Sequence, residues 1–275
     1  MGVRKRFIVL PFLTSALVAF AACLPQPDEP VEYLRRPEAI IIQVLKVAGS
    51  PQSELQDRLV VPDFTLYGDG TLIFSDAESR LIQAQLPEEA IRDLLELIVG
   101  EGFLDFFYDQ PSPASGADLS ATFIYVNTIG GANSVRTVGL GALPLEESGS
   151  EFDDLRRLEE IVRRLNNLDP EAVGGEIEGE FSPETLLLLV QPTEALNVVG
   201  SPAIWPFSTI DLGEIASPES AGGERVIEGE AVDDLLNLLV LQPPFALTFQ
   251  QDGRAFEVGY RVLLPFEENF PEFDR

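Results

Sequence analysis

The chain has 275 residues, enough for one or two domains of ordinary size. A hydrophobic fraction of 45% and a charged fraction of 23% are globular values, and they exclude collagen, coiled coil and wholesale disorder. Forty-six acidic residues face eighteen basic ones, a formal net charge of −28; there is no histidine and only one cysteine, Cys23, which removes much nucleophilic and metal-binding chemistry.

The N-terminal segment reads as an address. Arg4, Lys5 and Arg6 precede an uncharged run over residues 7–22. That run fits a signal-peptide core and falls short of the ~20 residues that cross a bilayer. It closes in Phe20-Ala21-Ala22-Cys23, with small residues ahead of the cysteine. The arrangement resembles a bacterial lipoprotein signal. The resemblance implies removal of residues 1–22, lipid transfer to the Cys23 sulfur and acylation of the new N-terminus. Two other readings stay open: an ordinary secretory signal cut nearby, which leaves Cys23 as a thiol, and a short uncleaved anchor. Each buried acyl methylene contributes ~0.8 kcal/mol, so two or more chains hold a protein stably on a membrane. Loss of residues 1–22 leaves fifteen basic against 46 acidic residues, a net of −31.

Residues 23–38 form a proline-rich tether with four prolines after the cysteine. At ~3.1 Å per residue it lifts the body ~45 Å from the lipid, unless part of it packs through Tyr33 and Leu34. An N-terminal α+β domain is expected over 39–170. AIIIQVLKVAG (39–49) reads as a buried strand, being apolar and β-branched. DFTLYGDGTLIFSD (63–76) alternates around Gly68, Asp69 and Gly70, a hairpin signal because the turn demands positive φ. Asp69 has no partner carboxylate at metal-loop spacing, so it reads as a turn residue. LPEEAIRDLLELIVGEGF (86–103) is a helix with Ala90, Ile91, Leu94, Leu95 and Ile98 on one face. After a proline-rich loop at 109–117, residues 121–141 read as a second hairpin turning at Gly130-Gly131-Ala132-Asn133. EFDDLRRLEEIVRRLNNL (151–168) is a second helix, with i,i+4 pairs Asp153–Arg157, Glu159–Arg163 and Glu160–Arg164.

Residues 171–184 are acidic and glycine-rich and read as a linker. A C-terminal α+β domain follows over 185–275. TLLLLVQP (185–192) is a strand, and a loop with Trp205 leads to an acidic stretch at 217–224. EAVDDLLNLLV (230–240) is a helix, and residues 245–265 form a hairpin turning at Asp252 and Gly253. The expected fold is therefore α+β: two small units of antiparallel sheet, each with one or two helices on one face. EAIRDLLELIV (89–99) and EAVDDLLNLLV (230–240) agree at seven of eleven positions. Internal duplication of a β-α-β-β unit is one explanation, and a shared amphipathic pattern is the other.

Beyond Cys23, the stretch Phe64-Thr65-Leu66-Tyr67-Gly68-Asp69-Gly70-Thr71 and the helix behind it carry a further likeness. So do Phe181-Ser182-Pro183, Trp205-Pro206 and Tyr260-Arg261-Val262-Leu263-Leu264-Pro265. With these the chain resembles a family of bacterial lipoproteins without an established activity, so the resemblance implies no catalytic residue. Relatives carry cysteines in the second half; this chain has none there, so core packing alone must hold it.

The remaining chemistry is narrow. Without histidine there is no Ser-His-Asp triad and no histidine-ligated metal. Lys46 lacks the S-x-x-K spacing of a serine–lysine dyad. No glycine-rich phosphate loop is present. The acidic excess repels nucleic acid. The acidic loops at 174–180 and 224–230 lack the residue order of a calcium loop and read as solvated. No catalytic, cofactor or metal residue is expected. The sequence points to an extracytoplasmic protein of the cell envelope, held to the membrane by lipid on Cys23. The leading role is a non-catalytic module that binds an envelope protein or polymer. The alternative is a carboxylate-dependent envelope hydrolase, which needs a cleft lined by two acids, one with a raised pKa.

Overall fold

A computed structural model describes residues 30–49, 58–110, 119–142, 152–193, 202–216, 222–239 and 247–267. Cys23, the signal segment and residues 24–29 of the tether lie outside them, as do most of the proline-rich loop and residues 217–221 of the acidic stretch. The described residues form an α+β fold of two sheets, almost entirely antiparallel, with helices against them.

The first sheet has seven strands: β1 (Ile40–Val47), β2 (Phe64–Tyr67), β3 (Thr71–Ser75), β4 (Leu81–Gln85), β5 (Ala121–Thr128), β6 (Gly131–Val138) and β7 (Glu176–Glu180). Their order is β6-β5-β1-β2-β3-β4-β7, with every neighbour antiparallel. β1 is central, which explains its nearly unbroken apolar run: both of its faces are covered. Helices α1 (Glu88–Gly100) and α2 (Asp153–Asn166) pack on one face. Ile91, Leu95 and Ile98 of α1 and Leu155, Leu158, Ile161 and Leu165 of α2 meet Ile42, Val44, Leu66, Leu72, Ile124 and Val126 of the sheet. The helical stripes expected from period 3.6 are the buried ones, except that Leu94 of α1 and Phe152 and Val162 at α2 are only half-buried.

Several local expectations change. The tether does not stay clear of the body. Tyr33 is 4% exposed in the first core, Ile129 N donates to Glu32 O at 2.8 Å, and Arg35 pairs with Glu88. At the β2–β3 turn only Gly70 takes positive φ (95°); Asp69 instead accepts the Thr71 amide through Oδ1 at 3.0 Å. Gly68 is required by close approach, since a Cβ there would lie 1.9 Å from Leu34 O. The second hairpin turns at Ile129 and Gly130, two residues earlier than its composition implies, and Gly131, Ala132 and Asn133 belong to β6. The 171–184 stretch is not a plain linker. It makes a short 3-10 turn at Glu171–Val173 and then β7, which pairs with β4 and forms an edge of the first sheet. β4 itself was not expected, because Leu81-Ile82-Gln83-Ala84-Gln85 shows no clean alternation.

The second sheet has the order β10-β8-β12-β11-β9, from β8 (Thr185–Thr193), β9 (Ala203–Ile204), β10 (Gly223–Glu228), β11 (Leu247–Gln251) and β12 (Arg254–Val262). Only β9 against β11 is parallel. A one-turn helix α3 (Leu212–Ile215), capped by Asp211 Oδ1, and helix α4 (Glu230–Leu239) accompany this sheet. Its core gathers Leu186, Leu188, Val190, Trp205, Leu235, Phe249 and Phe256. Asp252 (φ 50°) and Gly253 (φ 77°) make the expected tight turn between β11 and β12.

The two units are not strand-for-strand copies. In the first, the long strand β1 takes the leading strand of the following hairpin, β5, as its partner; in the second, β8 takes the trailing strand, β12. Similar helices therefore sit in different topologies. A third cluster joins the sheets: Ile40, Tyr67 and Ile73 meet Leu264, beyond the end of β12. Tyr67 Oη donates to Pro265 O at 2.8 Å, and Phe266 packs edge-on against the Tyr67 ring. Residues 31–275 consequently form one compact unit.

Candidate functional site

The cleft with the most uncommitted polar groups lies where β1 ends beside α2. β1 stays apolar up to Leu45 and then presents Lys46, opposite Thr122 of β5. Asp63 stands just before β2. Its amide donates to Val44 O at 2.9 Å and its carbonyl accepts from Ser75 N at 2.9 Å, so the backbone is pinned between two strands. The last turns of α2 supply Glu159, Arg163, Asn166 and Asn167. Val44, Thr122, Leu140 and Val162 line the remainder of an open cavity of about 380 Å³, within the size range of small-ligand sites.

The electrostatics follow from local packing. Burial pushes the Asp63 carboxyl above its ordinary value, and the Lys46 charge pulls it partly back. Along α2 the ion pairs favour i,i+3 spacing: Asp153 with Arg156, Asp154 with Arg157, and Glu160 with Arg163. Of the three i,i+4 pairs expected from sequence, only Glu160–Arg164 forms, at 2.7 Å. Two guanidinium groups, Arg163 first and then Arg164, hold the Glu160 carboxyl below its usual range. Because Arg163 turns to Glu160, Glu159 is left to the cleft. Among the described residues, the side chains of Lys46, Asp63, Glu159 and Asn166 make no hydrogen bond and no ion pair within 4 Å. Most basic groups elsewhere are engaged: every described arginine except Arg225 and Arg254 has a carboxylate partner, and Arg254 lies over the Phe256 ring.

A second cavity, about 640 Å³, opens beside β10 and the end of β12. Its charges are already matched, Arg58 with Glu224 and Arg261 with Glu267, the latter pair with side chains only 14% and 19% exposed. It therefore offers a ligand less than the first cleft does. No three acidic side chains converge among the described residues in the way a metal ion would require.

The sequence-level site residues are distributed otherwise. Gly68, Asp69, Gly70, Asp252 and Gly253 lie between paired strands and line neither cavity. Cys23 lies outside the described residues. Asp63 and Glu159 were not singled out. One adjoins a hairpin, and the other sits in an apparent helix ion pair; neither carries a spacing that marks it. Searches of protein-family models, curated proteins and solved structures find no match to the chain.

Proposed function

We propose that this is a lipid-anchored protein of the cell envelope, attached through Cys23, whose body binds a partner in the cleft between β1 and α2. The observation that carries the binding role is the set of side chains there, Lys46, Asp63, Glu159 and Asn166, that make no hydrogen bond or ion pair within 4 Å among the described residues, where most other described basic groups are paired. Lys46 and Asn166 are exposed at the rim and Asp63 and Glu159 half-buried, and polar groups that line a recess without a hydrogen-bond partner of their own are open to an external one. A ligand facing this cleft meets an ammonium, two carboxylates and an amide, so it carries mixed hydrogen-bonding groups, as peptides and amino-sugar polymers do. The test is titration of the purified protein with soluble peptidoglycan fragments, followed by amide chemical shifts. Perturbation at Lys46, Asp63 and Asn166, with affinity falling tenfold or more in Lys46→Gln, is expected. Unmoved resonances around the cleft at millimolar fragment would count against the site.

A second reading, the carboxylate-dependent hydrolase, is favoured by one observation. Asp63 and Glu159 line the same cleft, and burial raises the pKa of Asp63. A half-buried acid and a second carboxylate lining one cleft are the group types that general acid–base catalysis on glycosides uses. Turnover of the same fragments, lost in Asp63→Asn while binding is kept, would replace the first reading with this one.

A further inference from the structure

We infer that β10 is a docking edge: it takes an extended segment of a partner protein as an added antiparallel strand, whose basic, apolar and acidic side chains match Glu228, Val226 and Arg225 in turn. This surface is separate from the β1–α2 cleft, and the inference does not depend on what binds there.

The four sheet edges differ. An edge strand presents unpaired amides and carbonyls to any extended chain, and most folds blunt it. β6 is covered: the Arg136 amide donates to Tyr108 O, and Arg136 O accepts from the Gln110 amide. β7 pairs irregularly with β4, bends at Gly179 (φ 131°) and carries Glu176, Glu178 and Glu180. β9 is two residues long. β10 has none of these devices. It runs six residues in unbroken register with β8, from Gly223 opposite Val190 to Glu228 opposite Thr185. No described backbone group bonds to its outer side.

The side chains along this edge specify what adds to it. Glu224, Val226 and Glu228 share the face that opens on the cavity of about 640 Å³, whereas Ile227 turns into the core with Val232 and Leu235 of α4. Val226 is 49% exposed and Ile227 6%. The cavity extends from Val226 to Leu263 and Phe266, so it has room for an apolar side chain set opposite Val226. Its matched pairs, Arg58 with Glu224 and Arg261 with Glu267, do not bar a strand, which binds chiefly through its backbone. Two charges are left over. Arg225 and Glu228 make no ion pair among the described residues. Opposite charges facing across a strand pair attract, and like charges repel. Read from its N-terminus, the complementary antiparallel segment therefore places a basic residue opposite Glu228, any residue opposite Ile227, an apolar one opposite Val226 and an acid opposite Arg225. A second copy of the chain fits badly. The register that sets Val226 on its own copy also sets Glu224 against Glu228 twice.

The experiment titrates the purified full-length protein with two blocked peptides, Thr-Lys-Thr-Val-Glu-Thr and its charge-swapped form Thr-Glu-Thr-Val-Lys-Thr. The first should bind about tenfold more tightly and slow amide exchange in β10. The preference should invert in the double variant Arg225→Glu with Glu228→Lys, both positions being exposed. Equal affinity for the two peptides, no binding of either at millimolar concentration, or protection confined to residues outside β10 overturns the inference. So does a preference that survives the double variant. A dimer seen by sedimentation and dispersed by Val226→Lys would give the edge to a second copy, and overturns it equally.

Discussion

Asp63 and Asp76 bracket the β2–β3 hairpin and titrate in opposite directions. Asp63 is raised by burial, with Lys46 opposing. For Asp76 burial also acts upward, but amide and guanidinium hydrogen bonds from Arg80, with the Glu78 amide, outweigh it and hold the group below its ordinary 3.8. Linkage then sets the signs. Folding makes Asp63 bind its proton more tightly, so its charge is a cost at neutral pH that acid relieves. Asp63→Asn should raise the melting temperature at pH 7. The gain should shrink as pH falls through the folded pKa and vanish below the unfolded value near 3.8. Folding makes Asp76 release its proton more readily, so its contribution is present above about 3.8 and is lost as pH falls through its lower folded pKa. Asp76→Asn should therefore destabilise at pH 7 and become neutral in strong acid. Urea titrations of both variants across pH 2–7 would separate the two signs. Curves of the same direction for both would mean that local burial and hydrogen bonding do not govern these carboxyls.

At the scale of elements, apolar periodicity marks what packs and misses what merely pairs. α1, α2 and α4 stand out because each must turn one stripe to a sheet. β1 and β8 stand out because they are central and covered. β7 carries Glu176, Glu178 and Glu180, and Ile177 is 43% exposed; it is a strand because β4 needs an antiparallel neighbour, not because its side chains seek a core. No hydrophobic pattern announces such an edge. The tether is similar: four prolines promise extension, yet one tyrosine finds the first core. The cleft was still less legible. Lys46 and Glu159 lie 113 positions apart, and Glu159 becomes available only because Arg163 bends toward Glu160. The same logic gives a stability contrast within α1. Leu95 is fully buried, whereas Leu94 lies half-exposed one position before it. Leu95→Ala should cost about 2–5 kcal/mol, and Leu94→Ala distinctly less, as judged by chemical denaturation. Equal losses would mean that α1 sits rotated about its axis from the packing described.

Over the whole molecule, the two sheets are joined by the cluster around Tyr67 and Leu264. A joint that includes buried leucine, isoleucine and tyrosine, together with a tyrosine–carbonyl hydrogen bond, couples the halves so that calorimetry should record one unfolding transition. Tyr67→Phe removes the hydroxyl that donates to Pro265 O and should cost about 1 kcal/mol. Leu264→Asp places a charge in the joint itself and should split the transition into two. A single unshifted transition in Leu264→Asp would show that the sheets hold together by other contacts. The joint also explains why the second half manages without disulfides. Its own core is supplemented by a neighbour that it shares with the first.

Lys46 has one further consequence. Lys5 and Lys46 are the only lysines in the chain, so the body from residue 31 onward offers a single side-chain amine, and it opens on the β1–α2 cleft. A succinimidyl ester bearing a photoactivatable arm would therefore mark one spot on the folded surface without any engineered handle. Flashed on intact cells and then digested, it would covalently capture whatever natively occupies that recess, with the tagged peptide reporting the identity of the occupant.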